Sequence, residues 1–439
     1  MARKLFGTDG VRGVAGSEIT AELALALGRA AVLQSGRDAP RVLVVRDTRE
    51  SGEMLEAAMA AGLASAGAEV LLAGVLPTPA ASLLIRRHEL DLGVVLSASH
   101  NVYSDNGVKF FGDDGFKLSD EREQAIEDRL EDTEHATPGR VGRIRELHGA
   151  RADYVRDLHA RFQSLTLAGI DVLLDCANGA TYRVAPDIFE RLGASVSTLG
   201  VDPDGRNINA GCGSTHIEAL AEAVVKGGHD VGFAFDGDGD RVLAVDRDGT
   251  VVDGDELLLL VALHLLAEDR LPGRGIAITV MTNLAFTNEL ERAGIEVAST
   301  AVGDRYVLEA LRERGWALGG EQSGHLIELG FAPSGDGIAS ALLVLEALAG
   351  RDLGERNRVE KLPQRLVNVR VRDRGSLAGA SAVHEVIEIE SRALAGRGRV
   401  LVRPSGTEPL IRVMVEAPSV EEAEAVCARL VAIVESTLG

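Results

Sequence analysis

Three aspartates at alternate positions, Asp236-Gly237-Asp238-Gly239-Asp240, followed by Arg241, close an apolar run from Val231 to Phe235. Carboxylates crowded this closely disfavour one another's charge unless a cation sits among them. The intervening glycines let the backbone curl so that the three side chains converge on one point, which a Cβ would obstruct. Oxygen-only ligation suits a hard divalent ion, with Mg2+ ahead of Ca2+ if phosphate completes the shell. The plain alternative is an acidic surface turn. An EF-hand is excluded, because its twelfth position needs Glu and the twelfth residue from Asp236 is Arg247.

Further clusters carry reactive or ligand-holding groups. Ser97-Ala98-Ser99-His100-Asn101 sets a hydroxyl beside a histidine, without the Gly-x-Ser-x-Gly elbow of a hydrolase. On an extended chain neighbouring side chains point to opposite faces, so His100 is poorly aimed as a base for Ser99. A strand-end turn rich in hydrogen-bonding side chains accounts for the same residues without chemistry. Phosphorylation of Ser99 would change that, because its oxygens could complete the shell of a metal held by Asp236, Asp238 and Asp240. Lys109, in Gly107-Val108-Lys109, is a candidate charge partner or proton acceptor.

In Gly320-Glu321-Gln322-Ser323-Gly324-His325, Glu321, Ser323 and His325 alternate as sugar-hydroxyl ligands do. A carboxylate accepts from two vicinal hydroxyls at once, which favours Glu over a neutral acceptor. The alternative is a polar loop with a helix cap. Arg403-Pro404-Ser405-Gly406-Thr407, with Arg412, combines cationic forks, hydroxyls and an unobstructed glycine N–H. Together they make a phosphate clamp, against the bland reading of a surface turn with incidental arginines.

These groups must be held by something, and the chain alternates strands with helices. Apolar strands are expected at 41–46, 69–73 and 93–97, then at 171–175 and 231–235, then at 276–280 and 316–319. Helical stretches at 52–66, 186–192, 284–292 and 305–314 fall between them. The alternation predicts α/β modules with largely parallel sheets covered on both faces. From 366 onward the pattern changes to strands at 366–372, 400–403 and 411–416 with helices at 376–394 and 420–434, a smaller α+β domain. Four domains follow: 1–150, 151–252, 253–364 and 365–439. The serine, aspartate and glutamate clusters each follow the carboxyl end of a predicted strand, where α/β sheets place their ligands. Three modules contributing one loop each suggest a shared cleft.

Composition narrows the function. A chain of 439 residues exceeds one core at roughly 150 residues per domain. Its formal net charge of −21 argues against nucleic-acid and anionic-membrane partners, and its 3% aromatic content against a base-stacking platform. A locally basic pocket for an anionic substrate is still compatible. Cys176, Cys212 and Cys427 are far apart, odd in number and without metal spacing, as expected of reduced thiols in a cytoplasmic protein. No apolar leader opens the sequence and no window reaches transmembrane length.

An apolar strand ending in Asp-x-Asp resembles the haloacid-dehalogenase phosphatases, where the first aspartate, here Asp236, would be the nucleophile. That likeness covers a few residues and leaves Ser99, Glu321 and the Arg403 loop unused. The serine, metal, sugar and phosphate loops taken together, once each and in this order, resemble the α-D-phosphohexomutase family over essentially the whole chain. Within it, the opening Phe6-Gly7-Thr8-Asp9-Gly10-Val11-Arg12-Gly13 and the Glu321 loop resemble the bacterial members acting on hexosamine phosphates. Phosphomannomutase/phosphoglucomutase members are the alternative. One departure is Val102, where the family often has proline.

The resemblance implies three related mixed α/β domains and a smaller C-terminal α+β domain around a central cleft. It implies one Mg2+ per chain on Asp236, Asp238, Asp240 and a phosphorylated Ser99. The expected reaction interconverts glucosamine 6-phosphate and glucosamine 1-phosphate through glucosamine 1,6-bisphosphate, with that or glucose 1,6-bisphosphate as activator. Arg241, Lys109 and His100 are the catalytic candidates beside Ser99. Glu321, Ser323, His325 and Arg12 are expected on the sugar, and Arg403, Ser405, Gly406, Thr407 and Arg412 on the distal phosphate. The family also suggests a homodimer.

Overall fold

The computed structural model describes residues 5–7, 9–130, 141–405 and 409–439. They divide into two compact units, Met1–Met281 with Ile295–Asn357, and Thr282–Gly294 with Arg358–Gly439. The architecture is α/β, with three mixed sheets in the larger unit and an antiparallel sheet in the smaller. No helix among the described residues is long and apolar enough to cross a membrane.

The first sheet orders its strands Val11–Val14, Asp105–Gly112, Leu92–Leu96, Arg41–Arg46, Glu69–Val75, Ile144–Glu146. Arg41–Arg46 lies parallel to both its neighbours, and Val42, Leu43, Val44 and Val45 are all buried. A strand covered on both faces reads as a continuous apolar run, which is why the sequence marks it so clearly. The second sheet centres on Asp171–Asp175, parallel to Ser195–Leu199 and Val231–Phe235. The third centres on Gly275–Thr279, parallel to Glu296–Thr300 and Leu318–Gly320.

Each sheet departs from the largely parallel expectation in the same way. The strand that feeds a polar cluster is answered at once by an antiparallel return. Leu92–Leu96 pairs with Asp105–Gly112, Val231–Phe235 with Val242–Asp246, and Leu318–Gly320 with Leu326–Glu328. Leu96 stands opposite Val108, Phe235 opposite Val242, and Gly320 opposite Leu326. The serine, aspartate and glutamate clusters are therefore hairpin-like connections held at both ends by a ladder. A single site loop per sheet, repeated three times, is the structural sign that the modules are related.

Several helices run between the strands where the sequence outline marks none, among them Ala21–Ser35, Thr78–Arg87 and Gly337–Leu348. Gly337–Leu348 is buried on nearly every side, so it lacks the polar stripe that betrays a surface helix. The smaller unit packs Val383, Leu430 and Val434 of its helices against Ile411, Val413 and Val415 of the central strand Leu410–Glu416. Helix Leu284–Arg292 belongs to this unit: Leu284 N donates to Glu416 Oε2 at 3.0 Å, and Arg399 binds both Glu416 and the Thr282 carbonyl.

Helices Ala21–Ser35 and Ser51–Ser65 cross at small residues, and a Cβ on Gly62 would stand 2.1 Å from the Leu25 carbonyl oxygen. Alanine gains about 1 kcal/mol in helix propensity, less than the ~1–3 kcal/mol that overpacking costs. Gly62→Ala should therefore lower the denaturant midpoint; an unchanged or higher midpoint would contradict the close helix contact.

Candidate active site

The aspartate loop spans the return from Phe235 to Val242. One carboxylate oxygen from each of Asp236, Asp238 and Asp240 lies within 4.8 Å of the others, and all three residues are buried. Gly239 adopts a φ of 73°, and a Cβ on Gly237 would stand 2.5 Å from the Ser99 carbonyl oxygen. Both glycines are thus required by the curl. Asp238 Oδ1 and Asp240 Oδ1 are buried and accept no hydrogen bond among the described residues. Unbonded carboxylate oxygens are costly away from water, and this all-oxygen donor set fits a hard divalent cation.

The electrostatics agree. Burial, then the neighbouring Asp240 and Asp238, push the Asp236 carboxyl well above its usual range. Burial alone would raise Asp240 as well, but His325, Lys109 and Arg241 hold it below the ordinary value. A divalent charge among the three would favour the ionised form of each.

Ser99 is 1% exposed, and its Oγ donates to Asp236 Oδ2 at 2.5 Å. The same oxygen lies 3.2 Å from His100 Nδ1. The expected divergence of these two side chains fails because Ser99 is not extended: its φ is 52°. Alternation across a strand does not apply to a left-handed turn. Burial, then Arg241 and Arg12, lowers His100 to about 4, so the ring is neutral at neutral pH.

Lys109 is equally buried, with Nζ 2.9 Å from Asp238 Oδ2 and 3.2 Å from Asp9 Oδ2. Burial alone would lower it, but Asp238 and Asp9 hold its pKa above the ordinary lysine range. Of the two roles open to Lys109, the geometry favours charge partner over proton acceptor. Arg241 donates its backbone N–H to Asp236 Oδ1 at 3.1 Å, and its Nε lies 3.8 Å from Asp240 Oδ1. Arg12 pairs with Asp9.

Matches to known families cover the chain in four consecutive stretches. Phosphoglucomutase/phosphomannomutase alpha/beta/alpha domain I matches residues 3–137, domain II 152–249, domain III 253–366, and the C-terminal domain 366–433. The chain belongs to the phosphoglucomutase/phosphomannomutase family.

Relatives of this family member include the phosphoglucosamine mutase of Desulforudis audaxviator, 51% identical with 94% of each chain covered. That of Bacillus subtilis is 48% identical over 99% of each. A phosphoglucomutase/phosphomannomutase family protein from Burkholderia thailandensis superposes with a TM-score of 0.83 at 25% identity, covering 98% of this chain and 97% of that one. Aspergillus fumigatus N-acetylphosphoglucosamine mutase, solved with GlcNAc-6P and magnesium, gives 0.70 at 17% identity, covering 99% and 96%; that likeness is one of fold.

The Glu321 loop of this phosphoglucomutase/phosphomannomutase family member divides its three candidate sugar ligands. Glu321 Oε1 accepts the Gly303 N–H at 3.0 Å, and Ser323 is exposed. His325 turns inward and is buried, with Nδ1 3.5 Å from Asp240 Oδ1 and Nε2 3.9 Å from Asp304 Oδ2. Burial alone would lower its pKa, but Asp240, Asp304 and Glu321 raise it. His325 therefore stands with the metal loop. Asp304 also binds Lys117 at 2.6 Å, and Lys117 binds Asp9. With Lys109 reaching both Asp9 and Asp240, a ring of alternating charge closes: Asp240, His325, Asp304, Lys117, Asp9, Lys109.

In the smaller unit Arg403 and Arg412 stand directly opposite each other across the antiparallel pair. Like charges in register are unfavourable by themselves, which suits a place where an anion binds. Burial, then Arg412, lowers the Arg403 pKa. Ser405 is buried and its carbonyl accepts from Arg374 at 2.8 Å. Gly406 and Thr407 lie outside the described residues.

Other polar residues around Ser99 and Asp238 were not singled out from the sequence. Thr78 Oγ1 donates to Asp238 Oδ2 at 2.7 Å, and Arg49 and Asn209 bind the Ser99 carbonyl. Arg49 follows strand Arg41–Arg46 and Thr78 follows Glu69–Val75. The strand-end rule, applied to every strand and not only to those with conspicuous clusters, marks both.

Mg2+ or Mn2+ at about 100 times its Kd should stabilise the protein by about 2.7 kcal/mol. Asp238→Asn should abolish most of that shift in thermal unfolding; equal shifts in both proteins would remove the triad as the metal site.

Proposed function

We propose that this chain interconverts glucosamine 6-phosphate and glucosamine 1-phosphate through a phosphorylated Ser99 and glucosamine 1,6-bisphosphate, supplying UDP-N-acetylglucosamine synthesis. The observation that carries the reading is a buried serine hydroxyl seated on Asp236 of a metal-fitting triad. It lies in a chain 48–51% identical to phosphoglucosamine mutases over nearly its full length.

Asp236, Asp238 and Asp240, with the Ser99 phosphate, are assigned to Mg2+. When bound, it supplies positive charge to the phosphoryl group in transfer. Phosphorus leaves Ser99 Oγ for a sugar hydroxyl, which loses its proton while Oγ regains one; the return transfer reverses these changes at the other end of the sugar. Arg241 and the Lys109 ammonium add fixed positive charge beside that group. Neutral His100, against Oγ, is assigned to exchange a proton with it.

Glu321 and Ser323 bind sugar hydroxyls that occupy similar places in both orientations. His325 and Arg12 are assigned to the charged surroundings of the bound sugar phosphate. Arg403, Ser405, Gly406, Thr407 and Arg412 hold the phosphate that is not reacting, which keeps the far hydroxyl in line. Glucosamine or glucose 1,6-bisphosphate is the activator that charges Ser99. The working units are four domains at 1–150, 151–252, 253–364 and 365–439, in a cytoplasmic homodimer.

Ser99→Ala should keep its fold and metal-dependent stabilisation yet show no turnover with added bisphosphate; full retained activity would sink the assignment. Arg241→Ala should lower kcat about 100- to 1,000-fold. The catalytic efficiency for glucosamine 6-phosphate should exceed that for glucose and mannose 6-phosphates, and the reverse order would make the chain a phosphoglucomutase or phosphomannomutase.

A further inference from the structure

Arg49 is fully buried, and its guanidinium is spent on one carboxylate and on backbone carbonyls. Its Nε donates to Asp47 Oδ2 at 2.8 Å. Its Nη2 donates to the carbonyls of Ser99 and Asn101, both at 2.9 Å. Its Nη1 donates to the carbonyls of Asp105, at 3.0 Å, and Val102. All five N–H groups of the guanidinium are thereby used, four of them on the segment 99–105, which runs through the serine loop to the first residue of the return strand.

Two further contacts act on the same loop. Asn209 Nδ2 donates to the carbonyls of Ser99 and Asn101, each at 3.0 Å. Asp47 also accepts from Ser97 Oγ at 2.6 Å, and Ser97 Oγ accepts the Ser99 N–H at 2.9 Å. Ser99 is thus tied through both its N–H and its carbonyl. A φ of 52° is unfavourable for a serine and persists only where the surroundings over-determine it. That turn faces the Ser99 carbonyl to Arg49 and its Oγ to Asp236. Val102, where proline would have stiffened the chain, is held instead through its carbonyl.

A buried ion pair is weak evidence for stability, because an apolar pair of similar size often serves as well. What an apolar pair could not do is bind the four turn carbonyls. We propose that Arg49 is a positioning residue for phosphoryl transfer, holding Ser99 in the left-handed turn that aims its hydroxyl at the aspartate loop. The inference rests on Ser99 being the phosphoryl carrier. The serine alternates between carrying and lacking a dianionic group, and Arg49 keeps its oxygen in one place through both states without touching the substrate. Asp47 in turn orients the guanidinium.

Arg49→Lys keeps the buried charge but offers a single nitrogen, which cannot span Asp47 and four carbonyls. In the full-length enzyme with Mg2+ and 1,6-bisphosphate, kcat should fall about 100-fold, the scale of a misplaced reacting group. KM for glucosamine 6-phosphate should stay within about threefold, because the proposed sugar ligands lie on other loops. The 31P resonance of phosphorylated Ser99 should broaden or split in the variant and stay single in the parent. A folded Arg49→Lys protein with kcat within about threefold of the parent, or a loss confined to KM, overturns the proposal.

If Arg49→Lys does not fold, Asn209→Ala decides, since it withdraws two donors from the same carbonyls and leaves no buried charge. It should lower kcat about tenfold at unchanged KM; a kcat within about threefold of the parent overturns the role. A parent protein that neither turns over nor takes phosphate on Ser99 overturns the mutase reading and this inference with it. An active, Ser99-labelled parent with an equally active variant overturns the inference alone.

Discussion

Three carboxylates within 4.8 Å of one another, out of water, repel strongly, because an interior screens charge far less than solvent does. The larger unit answers that repulsion with cations drawn from all three of its sheets. Lys109 comes from the return strand of the first, Arg241 from the end of the second's loop, and His325 from the third. Burial alone would lower the pKa values of Lys109 and His325, and the neighbouring aspartates raise both instead. Neither side of the cluster is reasonable without the other. The ring that continues through Asp304, Lys117 and Asp9 extends the same compensation, so that no member is flanked by its own sign.

That network needs side chains delivered to one place from distant parts of the chain, and the antiparallel returns deliver them. A loop leaving a strand end with only one anchored side would wander. Here the ladder resumes within a few residues, pairing Phe235 with Val242 and Gly320 with Leu326. The connection is then short enough that its backbone groups can be bonded individually. Thr78 donates to the Asp238 carbonyl, Ala180 to that of Gly237, and Gly337 to that of Gly239. The serine loop is longer, and it receives Arg49 and Asn209 instead. The placement of the acidic side chains in this family member thus goes together with bonded loop carbonyls.

Much of this was legible in the residues. The aspartate triad, Ser99 and the strands that precede them are conspicuous because glycine between carboxylates and unbroken apolar runs are unusual local patterns. Less legible was everything that depends on a partner far away in sequence. The divergence of Ser99 and His100 followed from an extended chain, and a left-handed serine reversed it. His325 alternates with Glu321 and Ser323 in sequence like a third sugar ligand, but the strand Leu326–Glu328 carries it inward to Asp240. Arg49 and Thr78 carry no local oddity at all, and their importance lies in groups 50 and 160 positions away.

The sequence by itself determined which groups are on offer: an oxygen-rich acidic loop, a serine beside a histidine, a carboxylate loop, paired arginines, and the strands that end in them. Local composition suffices for that, since donor type and backbone freedom are properties of a few adjacent residues. Only the tertiary structure decided which pKa values rise or fall, which way Ser99 and His325 face, and which groups bond the backbone of the serine. Those depend on burial and on Coulomb and hydrogen-bond partners brought together from separate sheets, and no stretch of chain contains them.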